Sequence, residues 1–343
     1  MSGANTLRVA CFGAGYFSQF HYGSWARMDD VTLVGSCDRD IVKAQGTGLP
    51  AYSDLSKMLA EQSPDLLDII LPPASHAVAI RTALKAGIKW IICQKPFCVS
   101  LSEATSITAE AEAAGATIVV HENFRFQPWY RAIKAAMDQG MVGNVRQVTF
   151  RLRPGDGQGA DAYLDRQPYF QELPRFLVHE TAVHWVDTFR YLLGDPLSVY
   201  ADLRRENPYI AGEDAGYILF DHRHGVRVLF DGNRTLDHNA DNLRRTMGEA
   251  LVEGTQGTIR LLGDGSVRLR KFLTQEETIL LPADTWDGFG GDCVHALQSH
   301  VISGILRQTE LENTAPDYLD VIAIENAIYV SSETGRKIEL GKP

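Results

Sequence analysis

The 343 residues leave room for two domains of ordinary size, and 45% hydrophobic with 22% charged residues is a folded globular composition, which excludes fibres, stapled mini-proteins and disordered chains. Forty-three acidic against 33 basic residues leave a formal charge of -10, the wrong sign for long-range attraction to nucleic acid or to an anionic membrane. Nowhere do about 18 apolar residues run together, Met1 to Thr6 lack the basic and apolar parts of a signal peptide, and five cysteines without C-x-x-C spacing argue against a disulfide framework, Cys11, Cys37 and Cys93 reading as core residues of strands, so a cytoplasmic protein is expected.

From Leu7, short β-branched runs alternate with longer helical patterns, as in a parallel sheet with crossover helices. The predicted strands are Leu7–Phe12, Val31–Cys37, Leu66–Leu71, Lys89–Cys93 and Ala116–Val120. Between them lie predicted helices at Tyr16–Met28, Ser53–Gln62, Ser75–Ala86 and Ser100–Ala114. Ser100 and Glu103 have capping-box spacing, and Gly115 supplies a left-handed stop. These elements set a first domain at residues 1–125.

After a helix at Pro128–Asp138 the pattern turns to strands. Val145–Arg153 alternates apolar and polar residues, and further runs follow at Ser198–Arg204, Ala215–Phe220, Val226–Phe230, Arg244–Val252, Thr258–Leu262 and Thr278–Leu281. His222–Gly225 and Gly263–Gly265 read as hairpin connections. Helices are predicted at Val178–Leu193 and Pro316–Ser331. The expected fold class is α/β, a Rossmann dinucleotide-binding domain followed over residues 126–343 by an α+β domain with a large, mostly antiparallel open sheet. Its last helix is expected to pack back on the first domain, and a free sheet face suggests a homodimer or homotetramer. Pro154–Gly159 cannot continue a strand and opens a long irregular segment reaching about Pro174, the kind of loop that often binds ligand.

The chemistry begins where the first strand runs into Gly13-Ala14-Gly15-Tyr16-Phe17-Ser18, a G-x-G-x-x-S turn opening a helix. Gly13 permits the tight turn, Gly15 lets backbone approach a pyrophosphate, and N–H groups at the helix start, around Tyr16 and Phe17, face the anion. Asp38 ends the second strand, 25 residues beyond Gly13. A carboxylate there accepts from the adenosine ribose hydroxyls and repels a 2'-phosphate, which favours NAD over NADP. Arg39 beside it keeps NADP open as a second cofactor, because a guanidinium can pair with a phosphate.

Together with Gly13-Ala14-Gly15 and Asp38, four later motifs make the chain resemble the Gfo/Idh/MocA oxidoreductases (glucose-fructose oxidoreductase, inositol dehydrogenase, rhizopine catabolism) over nearly its whole length. They are Leu71-Pro72-Pro73-Ala74-Ser75-His76, similar to T-P-N-x-x-H; Gln94-Lys95-Pro96, similar to E-K-P; Asn123-Phe124-Arg125-Phe126-Gln127-Pro128; and Glu180-Thr181-Ala182-Val183-His184-Trp185-Val186-Asp187 with Leu193-Gly194-Asp195-Pro196, similar to D-x-G-x-H-x-x-D and L-G-x-P. The resemblance implies an NAD(P)-dependent dehydrogenase acting on a secondary alcohol of a sugar, polyol or inositol. Leu71, Pro72, His76, Gln94, Lys95 and Asn123 would then join the glycine turn in holding the cofactor.

Lys95 would stabilise developing charge on the reacting oxygen, His184 would take the hydroxyl proton, and Glu180, four residues earlier on one helix face, would orient the ring or bind a substrate hydroxyl. His179 lies on another face without H-E-x-x-H spacing, so no metal site is expected. Gln94 for glutamate, Glu180 for aspartate and Ala182 for glycine depart from the motifs. Gln94 removes a negative neighbour from Lys95, and a proline follows, so the Lys95–Pro96 bond has cis within reach. Arg125, Arg153, Tyr163, Gln167 and Tyr169, with Arg166, are polar groups suited to a hydroxyl-rich ligand, and Trp286 and Phe289 can wall a pocket. Two other activities fit the same motifs: an enzyme that keeps its cofactor and uses transient redox in glycoside cleavage or coupled sugar oxidation-reduction, and a non-catalytic cofactor or sugar sensor.

Overall fold

A computed structural model describes residues 6–341; residues 1–5, on which most of the signal-peptide reading rests, and 342–343 lie outside the described residues. The chain forms two compact units, one running through Asn123 and including Val294–Ile322, the other Phe124–Cys293 with the segment from Ala323. The chain therefore leaves the first unit at Asn123 and returns to it for a stretch late in the sequence.

The elements in chain order are β1 (Leu7–Phe12), α1 (Ser18–Trp25), β2 (Val31–Cys37), α2 (Ile41–Gln45), β3 (Ala51–Tyr52), α3 (Leu55–Gln62), β4 (Leu66–Ile69), α4 (His76–Lys85), β5 (Trp90–Gln94), α5 (Leu101–Ala113) and β6 (Thr117–His121). They are followed by α6 (Pro128–Asp138), β7 (Val145–Leu152), α7 (Val183–Leu193), β8 (Ser198–Arg204), β9 (Ala215–Asp221), β10 (Arg227–Asn233), β11 (Gly248–Gly254), β12 (Gly257–Leu261), β13 (Val267–Lys271), β14 (Glu277–Leu281), α8 (Cys293–Arg307), α9 (Ala315–Thr334) and β15 (Ile338–Glu339).

In the first unit β1 to β6 make one parallel sheet in the order β3-β2-β1-β4-β5-β6. Its strands are near-continuous apolar runs because both faces are covered; all four residues of β4 are buried. The order reverses between β1 and β4, which makes a switch point past the strand ends. Side chains cap the crossover helices: Asp40, Asp54 and Ser100 accept from Val42, Lys57 and Glu103 N–H. Glu103 reaches back to the Val99 N–H, one residue short of the Ser100 N–H that a full capping box would use.

The two-residue β3 and the five-residue α2 are too short to leave a periodic signal. The helix α8 escapes prediction because Ser299, Ser303 and Gly304 break its apolar stripe; Gly304 is needed where a Cβ would come within 2.3 Å of the Leu311 side chain. Of α9, Ala315–Ile322 belongs to the first unit and the rest to the second.

The second unit is built on a nine-stranded sheet, β14-β13-β12-β11-β7-β10-β9-β8-β15, antiparallel except where β10 pairs β7. One face is covered by α7, whose Trp185 stacks on Phe150 at 4.3 Å between centroids and meets Phe230 at 5.6 Å, while Phe189 meets Phe220. The other face leaves Tyr200, Tyr217 and Leu219 exposed. The strand expected at Arg244–Val252 begins only at Gly248. Asn242 accepts from Arg244 N–H in a side-chain turn, and Met247 takes a positive φ, so Arg244–Met247 cannot be extended. The strand β13 is missed because Arg268, Arg270 and Lys271 disguise its inward Val267 and Leu269.

His222, in the β9–β10 connection, is 3% exposed, and burial pushes its imidazole down to about 4 against the pull of the Gly194 carbonyl and the Asp195 and Asp221 charges. Below the ordinary histidine value of about 6.5 the unfolded chain binds a proton that the folded chain refuses. Its contribution is therefore complete above that pH and lost as pH falls towards 4, a change of about 3 kcal/mol. Urea midpoints for wild type and His222→Gln measured from pH 7 to pH 4 should show a shallower acid decline in the variant; parallel curves would refute this account.

Candidate functional site

In the first unit five segments follow strand ends on one edge of one sheet: Gly13 after β1, Asp38 after β2, Leu71 beyond β4, Lys95 after β5 and Glu122–Asn123 after β6. This is where open parallel sheets bind ligands. The two glycines of the turn are there for different reasons. Gly13 has φ +119°, and a Cβ would lie 2.1 Å from the Ile70 carbonyl oxygen, so the approach of β4 demands glycine. At Gly15 an added Cβ would meet nothing within 4 Å. No contact among the described residues requires a glycine at Gly15, and the open space before it suits a pyrophosphate.

The Asp38 carboxylate spans the turn, accepting from Ala14 N–H at 2.8 Å through Oδ2 and from Asp40 N–H at 2.9 Å through Oδ1. It holds the loop while each oxygen keeps acceptor capacity for ribose hydroxyls. Ser18, the small residue in third place, is 4% exposed and donates to the Gly15 carbonyl at 2.6 Å. Tyr16 and Arg39 face solvent. The Phe17 ring lies against Phe20 and His21.

Two turns close the same edge. His76 is buried between the Phe97 carbonyl, 2.9 Å from Nδ1, and the Leu71 carbonyl, 2.6 Å from Nε2, so its ring joins the turn after β4 to the turn after β5; burial holds its pKa below the ordinary value. Pro72 is exposed beside it. The Lys95–Pro96 peptide is cis. The Lys95 N–H donates to Gln94 Oε1 at 3.0 Å, and the Gln94 amide is buried. Asn123 is 3% exposed, and its Nδ2 has no hydrogen-bond partner among the described residues. An orphaned buried donor past a strand end fits a polar ligand group. These residues suit a dinucleotide with its pyrophosphate at Gly15 and its ribose at Asp38.

In the second unit His184 lies on α7, 8% exposed, with its ring stacked on Phe124 at 3.9 Å and 5°. The expected single α-helix from Val178 is corrected: Leu177–Ala182 is a π-helical turn that passes into α7 at Val183. Such turns are rare and cluster at functional sites. Glu180 sits in it, and its entry is secured by Glu213 Oε1, which accepts from Phe176 N–H and Val178 N–H at 3.1 Å and from the Tyr329 hydroxyl at 2.7 Å. His179 Nδ1 meets Glu325 at 2.7 Å, an internal bond and not a ligand set. Among the described residues no cluster of His, Cys, Asp or Glu could hold a metal ion.

The residues expected at the substrate divide. Gln167 donates to the Tyr169 hydroxyl at 3.1 Å, and partial burial with the Glu180 charge pushes the Tyr169 phenol up to about 12, which places Tyr169 within electrostatic reach of Glu180. Three others have internal partners. Arg125 is buried and its fork is taken by Asp187 at 2.8 and 2.5 Å. Arg153 binds the Asp231 carboxylate and carbonyl. Tyr163, 3% exposed, packs with Phe170, Phe176 and Ile210 and accepts from Arg234 at 2.8 Å. These three fix the loop and helix from inside, which polarity alone cannot distinguish from ligand contact. Arg166 likewise pairs with Asp156.

Sequence reasoning missed His21, Asp68, Glu213, Phe124 as a stacking partner and Arg234. Asp68 carried a signal: a carboxylate in the apolar run Leu66–Ile69 must find partners once buried.

Residues 7–122 match an oxidoreductase family with the NAD-binding Rossmann fold, and residues 130–260 match the GFO/IDH/MocA C-terminal domain. Over 97% of its length the chain is 31% identical to the D-apiose dehydrogenase of Paraburkholderia graminis, spanning 90% of that protein. It is 28% identical over 98% of its length to the D-apiose dehydrogenase of Rhizobium rhizogenes, spanning 98% of it. An oxidoreductase from Agrobacterium radiobacter, solved in complex with NAD+, L-tartaric acid and magnesium, superposes with a TM-score of 0.88 at 28% identity over 98% of both chains.

Proposed function

Since the chain belongs to the Gfo/Idh/MocA oxidoreductase family and uses NAD, we propose that its substrate is a small sugar, D-apiose first among the candidates, oxidised at a carbon bearing a hydroxyl. The observation that carries this is the near-full-length likeness to two D-apiose dehydrogenases. When bound, NAD supplies the hydride acceptor. The chain's own residues do the rest. Gly15 and the helix start hold the pyrophosphate, and Asp38 binds the ribose. The Lys95 ammonium donates to the reacting oxygen and stabilises its developing charge. His184 takes the hydroxyl proton, its ring plane set by Phe124. Glu180, Tyr169 and Gln167 bind other sugar hydroxyls, carboxylate and phenol both accepting.

The reading places the enzyme in the cytoplasm, where its five free, buried cysteines stay reduced, and in a homodimer or homotetramer built on the sheet face carrying Tyr200, Tyr217 and Leu219. Incubation with NAD or NADP against D-apiose, other aldoses, polyols, inositols and sugar acids, followed by nicotinamide absorbance, tests it, with light scattering on the same sample for mass. D-apiose turnover with NAD above NADP in a species of two or four chains is expected. Failure with D-apiose rejects the substrate, equal use of NADP rejects the role of Asp38, and a single-chain mass rejects the oligomer.

A further inference from the structure

Beneath the strand ends of the first unit lies a buried polar chain. Its polarity is set at one end by a group that cannot be reversed. The Lys95 backbone N–H donates to Gln94 Oε1 at 3.0 Å, so the Gln94 carboxamide has one orientation and its Nε2 turns to His21 Nε2, 2.8 Å away. An amide nitrogen only donates, hence His21 Nε2 carries a lone pair and the ring proton sits on Nδ1. From there it donates to Asp68 Oδ2 at 2.8 Å. Trp25 Nε1 at 2.8 Å and Gln298 Nε2 at 3.2 Å donate to the same oxygen; Gln298 Nε2 also lies 3.3 Å from His21 Nδ1, and Asp68 Oδ1 has no hydrogen-bond partner among the described residues. His21, Asp68 and Gln298 are fully buried and Gln94 is 8% exposed. A further titratable group facing His21 is His121, ring centroids 4.2 Å apart, whose Nδ1 lies 3.5 Å from Gln94 Nε2. Cys11 and Tyr22, near Asp68, are held neutral by burial.

We propose that His21 and Asp68 are positioning residues for the reaction: Asp68 selects the Nδ1–H form of His21, His21 fixes the Gln94 amide, and the amide fixes the Lys95 peptide. A glutamate at 94, as in the E-K-P motif that these residues resemble, offers no donor. One proton must then be added to the pair; on His21 it makes an imidazolium between two carboxylates, and the total charge stays at one negative. Gln94 and a neutral His21 are thus a matched pair. The proposal rests on the reading of Lys95 as the group that meets the reacting oxygen.

Two measurements test it. Side-chain nitrogen NMR of His21 is expected to show the neutral Nδ1–H form in wild type and a doubly protonated ring in Gln94→Glu at the same pH. This readout is independent of catalysis, and its wild-type arm needs no variant. Second, kcat for wild type, Gln94→Glu, His21→Leu and the double variant is expected to be non-multiplicative. His21→Leu should cost at least about tenfold more in the Gln94→Glu background, where a buried carboxylate loses its counter-ion. An Nε2–H or doubly protonated His21 in wild type overturns the proposal, as do multiplicative losses among variants that fold. Turnover retained in Lys95→Ala would instead overturn the reading of Lys95, and the positioning role with it, while leaving the His21 spectrum as found.

Discussion

Lys95→Ala is expected to lower kcat/KM for the sugar being oxidised by about a thousandfold, the usual cost of deleting a donor aimed at developing oxygen charge. The substitution leaves the Lys95 N–H to Gln94 bond and the Pro96 turn in place, since both belong to the backbone. His184→Asn should cost about 10²–10⁴-fold by removing the proton acceptor. It should also flatten the acid limb of the kcat/KM profile, which a merely structural ring would not do. Because the ring also stacks on Phe124, the melting temperature of each variant must be measured beside its rate. Undiminished turnover in either folded variant would reject the assigned role.

The second large effect separates the two glycines of the cofactor turn. Gly13→Ala places a methyl group 2.1 Å from the Ile70 carbonyl at φ +119°, so the junction of β1 and β4 must open. A loss of about 3 kcal/mol or more in stability is expected, with NAD binding lost alongside. Gly15→Ala meets no protein atom within 4 Å and its φ is not positive. It should leave stability within about 1 kcal/mol of wild type while weakening NAD binding at least tenfold, because the methyl stands where the pyrophosphate approaches. Denaturant melts and NAD titration of both variants decide the matter. A stable Gly13→Ala, or a Gly15→Ala that binds NAD undiminished, contradicts the division of roles.

The first unit was legible where local rules govern. Its strands are buried on both faces and so read as apolar runs, and Gly13, Gly15 and Asp38 sit at offsets that one turn imposes. The second sheet was legible by alternation at β7 and as an apolar run at β9. It was obscured at β13, where arginines occupy the outward positions, and at Arg244–Met247, where an asparagine turn competes with extension. At the site, position in sequence could place Glu180 and His184 on one helix, yet it could not foresee the π-helical turn, which depends on Glu213 and Tyr329 from distant elements. Polarity selected Arg125, Arg153 and Tyr163 as ligand contacts. Polarity could not show that each is buried against a partner more than 60 residues away in the chain.

The amino-acid sequence by itself determined the alternation of strand and helix, the glycine turn with its acidic partner, and the order of the motifs, because these follow from periodicity and backbone sterics within a few residues. Only the tertiary structure decided which polar side chains are satisfied internally, and it alone set the Asp68–His21–Gln94 chain beneath Lys95. A hydrogen bond between β4, α1 and β5 has no sequence period, and its direction follows from which donor meets which acceptor once the strands are packed.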